Sequence, residues 1–405
     1  MERTAMISGI TGQDKINEEI SKYKNVENVH DLPAAFHYCT NFLGKKLIEQ
    51  FGFKEFDKVV EYHINIIKKS KDEKDIKILS LGSGNCDFEI ESLSNKYNLK
   101  CQFFCMDLNT DMLVRGRKLA EKYKVSDSFV FLETDINKVL LEQKYDIIIA
   151  NHSLHHFAEL EHIFKQVNNA MFEKSYFIIN DMIGGNGHMS WDNTFELQEK
   201  IWEMLPKELK FNHQFNIYTP KLIQWDCSRD GFEGIRAQDI LPLLDSNFDF
   251  SWFIPFFCLI GRFIERGYGH NFDVNNQFHQ KILDMLWGYE EYCLSNKLLK
   301  PTQLIAVMMK KAPPPPGTTS INEMLEHKFI FFEHPSEIYE MDDTRVKLFF
   351  EIEDKTDVNK KLAKLRQSVR IVIWYMNAKH IPLGTKRRRL YKMLWKFIGR
   401  PFRIL

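Results

Sequence analysis

No CxxC pair occurs among the seven cysteines of this 405-residue chain, and their number is odd. The pattern supports neither a disulfide framework nor a zinc knuckle, so buried thiols in a reducing compartment are expected. Long apolar runs are missing too. The most apolar stretch, Phe248 to Ile264, carries Asp249, Pro255 and Arg262 and is too short to span a bilayer. A core strand and the turn after it are expected there. The first residues, Met1-Glu-Arg-Thr-Ala-Met-Ile-Ser, lack the basic and then apolar layout of a signal peptide, so a cytoplasmic protein is expected. Net charge is also absent: 55 Lys and Arg balance 55 Asp and Glu, leaving no overall field to gather nucleic acid.

What is present is apolar and aromatic. With 44% hydrophobic residues and 33 Phe, the chain can bury a large core and hold more than one domain. Its organising stretch is Ile76 to Ile90. Ile76, Ile78, Leu79 and Leu81 read as a buried parallel strand, Gly82-Ser-Gly84 as a turn, and the stretch carrying Phe88, Ile90 and Leu93 as a helix. Strand, glycine turn and helix form a cradle in which backbone N–H groups can approach a ligand. The pattern then repeats. Cys101–Met106 is a strand ending in Asp107, Phe129–Leu132 one ending in Glu133-Thr-Asp135, and Tyr145–Ala150 one opening into Asn151-His-Ser-Leu-His-His156. Helices are expected near 87–97, 110–123 and 160–171, and a fifth strand over Tyr176–Ile179 ends in Asn180-Asp181. Ligands of such sheets lie beyond the strands' carboxyl ends, so Asn180 and Asp181 should share a cleft with Asn151.

These four strand ends resemble the class I S-adenosylmethionine (SAM)-dependent methyltransferases, closely over 76–181 and loosely to about 311. The resemblance implies a Rossmann-like, doubly wound α/β sheet of seven strands with SAM as cofactor. Gly82, Ser83 and Gly84 would hold its methionine end and Asp107 its ribose. Asp135 would meet its adenine amino group, with Leu108 and Ile136 beside the two acids and Asn151 near the methyl group. Two departures stand out. The family often has an acid where this chain has Ser80, and a third glycine where it has Cys86. A dinucleotide oxidoreductase would need a glycine at the position of Asp87.

Outside this core, residues 1–75 read as an amphipathic helical segment. Phe42, Leu47, Ile48 and Phe51 share one face, and Phe56, Val59, Val60, Tyr62, His63, Ile66 and Ile67 form a second amphipathic segment. Arg3 and Tyr38 are within sequence reach of the site. Residues 184 to about 245 form an insertion after strand five, too long for a plain connection and suited to a substrate lid. It contains Gly184-Gly-Asn-Gly-His188, a helix near 191–204 and polar aromatic stretches. The domain, 76–311, then closes with a sixth strand at Phe248–Phe253, a helix near 275–294 and a seventh strand at Gln303–Met308. Ala312-Pro-Pro-Pro-Pro-Gly317 reads as a semi-rigid linker to a mainly helical C-terminal extension, 318–405.

In that extension Val358, Leu362, Leu365, Val369 and Val372 recur at helical spacing, suiting packing or a homo-oligomer. From Lys386 to Arg400, Arg388, Arg389, Lys392, Lys396 and Arg400 crowd one side of a helical wheel, opposite Leu390, Met393, Leu394, Trp395, Phe397 and Ile398. A basic amphipathic helix of this kind fits an anionic membrane surface, placing the protein peripherally at the inner face. One short basic helix is no nucleic-acid reading module.

A hydroxyl acceptor must lose a proton as it is methylated, so a histidine or carboxylate near the methyl group is sought. The candidates, in order, are His156, His155, Asp181 and His188; His213 and His270 are further pocket candidates. No spacing argues for a metal. The loop Asn151-His-Ser-Leu lacks the prolines of nucleobase amino methyltransferases, and no cysteine stands there for cytosine chemistry. Trp, Asn, Gln, Asp and His in the insertion suit a hydroxyl-rich acceptor. The proline spacer and basic aromatic tail resemble those of bacterial enzymes that build lipid-linked surface polysaccharides. O-methylation of a cell-surface glycan or its nucleotide- or lipid-linked precursor is therefore the expected activity. Methylation of a soluble small molecule and a non-catalytic SAM-binding scaffold are the alternatives.

Overall fold

The structure, a computed structural model, describes residues 32–311, 328–329, 331–332 and 334–341, all within the first of two compact units, 1–341. Arg3, the proline run 312–317, the helical stretch near 355–378 and the basic segment 386–400 lie outside the described residues. Two helices, α1 (Ala34–Phe51) and α2 (Phe56–Ile67), precede the sheet. Then follow β1 (Lys77–Leu81), β2 (Gln102–Asp107), α3 (Thr110–Tyr123), β3 (Phe129–Glu133), β4 (Tyr145–Asn151), α4 (Leu160–Ala170) and β5 (Met171–Met182). Between β5 and the next long strand stand α5 (Asp192–Met204) and α6 (Ala237–Asn247). The chain continues with β6 (Phe248–Phe256), α7 (Gln277–Ser295), β7 (Gln303–Lys310) and the two-residue β8 (Lys328–Phe329).

The sheet runs β8-β6-β7-β5-β4-β1-β2-β3. Strands β1 to β5 are parallel, and β7 lies antiparallel between β5 and β6. The expected seven strands are present, and β8 adds a short parallel edge beside β6. Residues beyond the proline run thus return to the sheet.

Side-chain alternation shows how the helices cover it. Tyr176 meets His63 of α2, whereas its neighbour Phe177 meets Phe164 of α4. Adjacent strand residues point to opposite faces, so α2 and α4 lie on opposite sides and the sheet is doubly wound. Phe248 joins Phe164 and Phe177 on the α4 side, while Trp252 stacks on Phe53 and touches His63 on the other. Two residues four apart would share a face in a regular strand. The bulge between Phe250 and Trp252 adds a residue and reverses the alternation. Each ring buried here contributes roughly 1.5–3 kcal/mol.

After β1 the chain does not enter an α-helix. Phe88–Asn95 is a π-helix, with bonds such as Lys96 N–H to Glu91 C=O and Leu99 N–H to Ser94 C=O spanning five residues. By contrast α3 begins and ends where the sequence places it, because the Asn109 side chain accepts the N–H groups of Asp111 and Met112. The other expected elements shift by a few residues at their ends. Helix α6 and the short strand β8 stand where no such element was expected.

Candidate functional site

The site begins at the carboxyl end of β1. Gly82 and Gly84 hold left-handed φ values of 67° and 55°. A Cβ on Gly82 would lie 2.7 Å from that of Ser153, so this turn and the loop after β4 meet without room for a side chain. On Gly84 a Cβ would meet nothing closer than Met112 Sδ at 3.7 Å, which leaves that side of the turn open to a ligand. Cys86, in place of the family's third glycine, is also left-handed at φ 61°. The loop keeps the glycine geometry at a cost of about 1–2 kcal/mol. Ser80, in place of the acid, donates to Glu89 Oε1 at 2.6 Å, so a buried carboxyl reaches the strand from the π-helix instead.

Asp107 ends β2 facing this turn. Its Oδ2 accepts Gly84 N–H at 2.8 Å and its Oδ1 accepts Asn109 N–H at 2.8 Å. Leu108 N–H bonds the carboxylate as well, so of its roughly four acceptor sites one remains for a ribose hydroxyl. Burial raises its pKa above the usual carboxylate value, a cost that a hydroxyl donor would relieve. Asp135 caps the turn after β3, accepting Asn137 N–H at 3.0 Å and pairing with Lys138 at 2.9 Å; Ile136 beside it is buried. Leu108 packs on Ala158, Phe232 and Ile235. Ser83 donates weakly to Met106 C=O, and Asn151 accepts the Asn180 amide at 3.1 Å. The cradle fits a ribonucleoside-type cofactor: open glycine turn, ribose acid and flanking apolar contacts stand along one edge.

The second half of the site grows from Asp181. Its side chain is fully buried and does not share a cleft with Asn180, since the two alternate across β5. Oδ2 accepts the N–H groups of Ser153 (2.8 Å) and Leu154 (2.7 Å), while Oδ1 accepts Met182 N–H (2.8 Å) and meets His155 Nδ1 at 2.6 Å. An ionised carboxylate accepts only, so His155 Nδ1 carries a proton, and in the neutral ring the lone pair lies on Nε2.

That nitrogen faces Glu233, a residue that no motif in the sequence marks. Glu233 Oε1 stands 3.8 Å from His155 Nε2 and 2.8 Å from His188 Nε2, and Oε2 is 3.4 Å from His156 Nδ1. The rings of His155 and His156 are 4.2 Å apart, those of His155 and His188 5.1 Å. Thus the structure brings His155, His156, Asp181 and His188 together around a carboxylate. His213 and His270 pair with each other elsewhere, 5.3 Å apart, and Tyr38 donates to Asp284.

Electrostatics separates the members. Burial disfavours charge on His155, but Asp181 outweighs it and its pKa ends above the ordinary imidazole value. Burial and the neighbouring His155 push His156 down to about 4. Burial opposes ionisation of Glu233, yet His188, His156 and His155 hold it well below the carboxylate range.

Two loops set this geometry. In Asn186–His188, Gly187 takes φ 66° and donates to Gly234 C=O at 2.8 Å; a Cβ there would fall 2.0 Å from Asp226 Oδ1. His188 itself sits at φ 56°, with its C=O accepting Arg262 Nη2 at 2.9 Å. The strap 232–236 is fixed by Phe232 and Ile235 on one side. On the other, Arg236 donates to Ala158 C=O (2.9 Å) and to both oxygens of Glu161 (2.6 and 2.7 Å). Among the described residues, His155, His188 and Glu233 place ligand-type atoms within 4.8 Å of one another. No spacing in the sequence shows this, because Glu233 lies 45 residues from His188.

Residues 72–227 match a methyltransferase-domain family. No curated protein matches. Among solved structures, the chain is similar to the O-methyltransferase of the trans-AT PKS multienzyme of Brevibacillus brevis in complex with S-adenosyl-L-homocysteine. That pair has 11% identity and a TM-score of 0.37, covering 70% of this chain and 81% of that one. It is also similar to the geranyl diphosphate C-methyltransferase from Streptomyces coelicolor A3(2), at 9% identity and TM-score 0.37 over 73% of this chain and 97% of the other.

Proposed function

We propose that this chain, whose residues 72–227 match a methyltransferase-domain family, is a class I SAM-dependent methyltransferase and methylates a hydroxyl of a cell-surface glycan or of its nucleotide- or lipid-linked precursor. SAM, when bound, supplies an electrophilic methyl group on a sulfonium sulfur. Gly82, Ser83, Gly84 and Asp107 would hold it, with Leu108, Asp135, Ile136 and Asn151 around it.

The observation that carries the choice of an oxygen acceptor is the His155–His156–His188–Glu233 cluster. It is built on the loop that packs directly on Gly82, so an acceptor beside the cofactor meets it. Alkyl hydroxyls are poor nucleophiles until ionised, and the cluster supplies groups that can ionise one. His155 contributes a lone pair on Nε2, turned inward because Asp181 holds Nδ1–H. Asp181 has both oxygens taken by four donors and acts through His155 as a positioning residue.

Support for a sugar comes from the segment between β5 and β6, which exposes Phe215, Tyr218 and Trp225; the first and last rings are 5.9 Å apart. Aromatic faces beside polar side chains suit pyranose rings. A peripheral membrane location is part of the proposal and rests on residues 386–400. Among the described residues, no helix is long and apolar enough to cross a membrane.

The test incubates methyl-labelled SAM and the protein with fractionated envelope and cytosolic extracts, then hydrolyses the labelled fraction. Methyl ethers of sugars, absent with His155→Ala, are expected. Label confined to non-sugar small molecules would remove the glycan, and label confined to amines would remove the oxygen acceptor.

A further inference from the structure

Proton abstraction needs one imidazole with its lone pair toward the acceptor. This cluster offers more: a second imidazole and a carboxylate crowd onto the point that His155 Nε2 faces. We propose that His155 Nε2, His188 Nε2 and the Glu233 carboxylate form a binding site for a divalent first-row cation of the Zn2+ type. The acceptor would face its open coordination position.

Four features of the geometry favour a cation. Once the Nε2 proton that His188 now gives to Glu233 has been released to solvent, the donor set, two neutral imidazole nitrogens and one carboxylate oxygen, is that of open, catalytic zinc and related sites rather than of Mg2+ or Ca2+, which prefer oxygen ligands. Bonds of about 2.0–2.2 Å to a tetrahedral ion place ligand atoms roughly 3.3–3.5 Å apart. The separations here, 2.8 Å for His188–Glu233 and 3.8 Å for His155–Glu233, straddle that value, and all three atoms fit within 4.8 Å. Side-chain shifts of about 1 Å or less, of the order of rotamer adjustments, would complete the sphere.

Next, His155 has the outer partner that metal-bound histidines use. A buried carboxylate takes Nδ1–H and fixes the tautomer with the lone pair outward. His188 is likewise held in place: its left-handed backbone is fixed by Arg262 and by the Gly187–Gly234 bond. Finally, the site is shielded on one side and open on the other. His155 is buried, whereas Glu233 and His156 remain partly exposed, so a further ligand can enter from the acceptor side.

A second group of ligand-type atoms, Cys86, Glu89 and Cys105, also lies close together. It is wholly buried beneath the glycine turn, with no open side for a substrate, and burial keeps the Cys105 thiol protonated.

The use of this cation rests on the O-methylation reading: with the ion bound, His155 Nε2 is its ligand and no longer the proton acceptor, and a hydroxyl placed at the open position ionises more readily, its proton passing to solvent. Its existence does not. The test uses the full-length protein, stripped with chelator and titrated with Zn2+ and Co2+ alone. One equivalent of each is expected by calorimetry and metal analysis. Co2+ should produce the intense visible d–d absorption of a low-coordinate nitrogen and oxygen site. His188→Ala and Glu233→Ala should each weaken binding at least tenfold, and Asp181→Asn about 10- to 100-fold through His155. SAM affinity, measured on the same samples, reports that each variant is folded and should stay within a factor of three.

No stoichiometric binding of either ion, or binding equally tight in His188→Ala and Glu233→Ala, overturns the site. A protein that binds SAM and transfers methyl groups at full rate without metal loses the cation's part in the reaction only. One that takes up the ion but never binds SAM loses the methylation reading instead.

Discussion

Replacing Asp181 with Asn keeps the shape of the most buried acid in the site and removes its charge. The carboxylate serves four donors: Ser153, Leu154 and Met182 N–H groups and His155 Nδ1–H. A carboxamide has one acceptor oxygen. If that oxygen keeps Ser153 and Leu154, the new NH2 confronts Met182 N–H and His155 Nδ1–H. Met182 is then a buried donor without an acceptor, costing about 1–3 kcal/mol. Nδ1 of His155 can pair with the amide only as an acceptor, which moves its proton to Nε2 and removes the lone pair from the cluster.

Lost charge-assisted bonds and the orphaned donor together predict a destabilisation of about 3–5 kcal/mol. Turnover should fall by about 100- to 10,000-fold, the usual reach of a positioned proton acceptor. Calorimetric SAM affinity should change little, because the Gly82–Gly84 turn and Asp107 are untouched. Turnover within a factor of three of wild type, in a variant that melts cooperatively, would refute the argument that Asp181 works through His155.

Two further predictions address the fold around the site. Glu290 is fully buried, its Oε2 accepting Leu259 N–H (2.9 Å) and Ile260 N–H (2.7 Å), and burial raises its pKa to about 7. A carboxyl with a raised folded pKa contributes stability that is complete below its unfolded value near 4.5 and is lost as pH rises toward about 7. Glu290→Gln keeps an oxygen for both N–H groups and should flatten the fall of melting temperature across that window, worth up to about 3 kcal/mol. An unchanged slope would contradict it. Gly187→Ala forces a Cβ to within 2.0 Å of Asp226 Oδ1, an atom already held by Ser228, at φ 66°. Thermal melts should show a loss of 2 kcal/mol or more, and turnover should drop with the displacement of His188; equal melting temperatures would count against the interlocked loops.

The strand ends were legible because each joins a short apolar run to a polar or glycine terminus, and sheet order follows once five such units repeat. Asp107 and the glycine pair sit where local sequence puts them, so the cofactor edge could be read residue by residue. The π-helix, the left-handed Cys86 and the bulge that turns Trp252 to the opposite face leave no such mark, since each is imposed by packing. Helix α6 was hidden by Pro242 within it and by lying in a segment read as an insertion. Glu233 was illegible for a different reason. Its partners are far away in the chain, and only the crossing of the strap 232–236 over the β4 loop brings them to it. Asp181 was found in sequence, but strand alternation, not cleft sharing, decides its role by placing it beneath His155.

The most direct measurement is isothermal titration of SAM and S-adenosylhomocysteine into the purified protein and its Asp107→Ala variant. The account predicts one site per chain and a loss of about 10- to 100-fold in the variant, the worth of a charge-assisted bond to a ribose. Absence of binding to the wild type, or equal affinity without the Asp107 carboxylate, would contradict it.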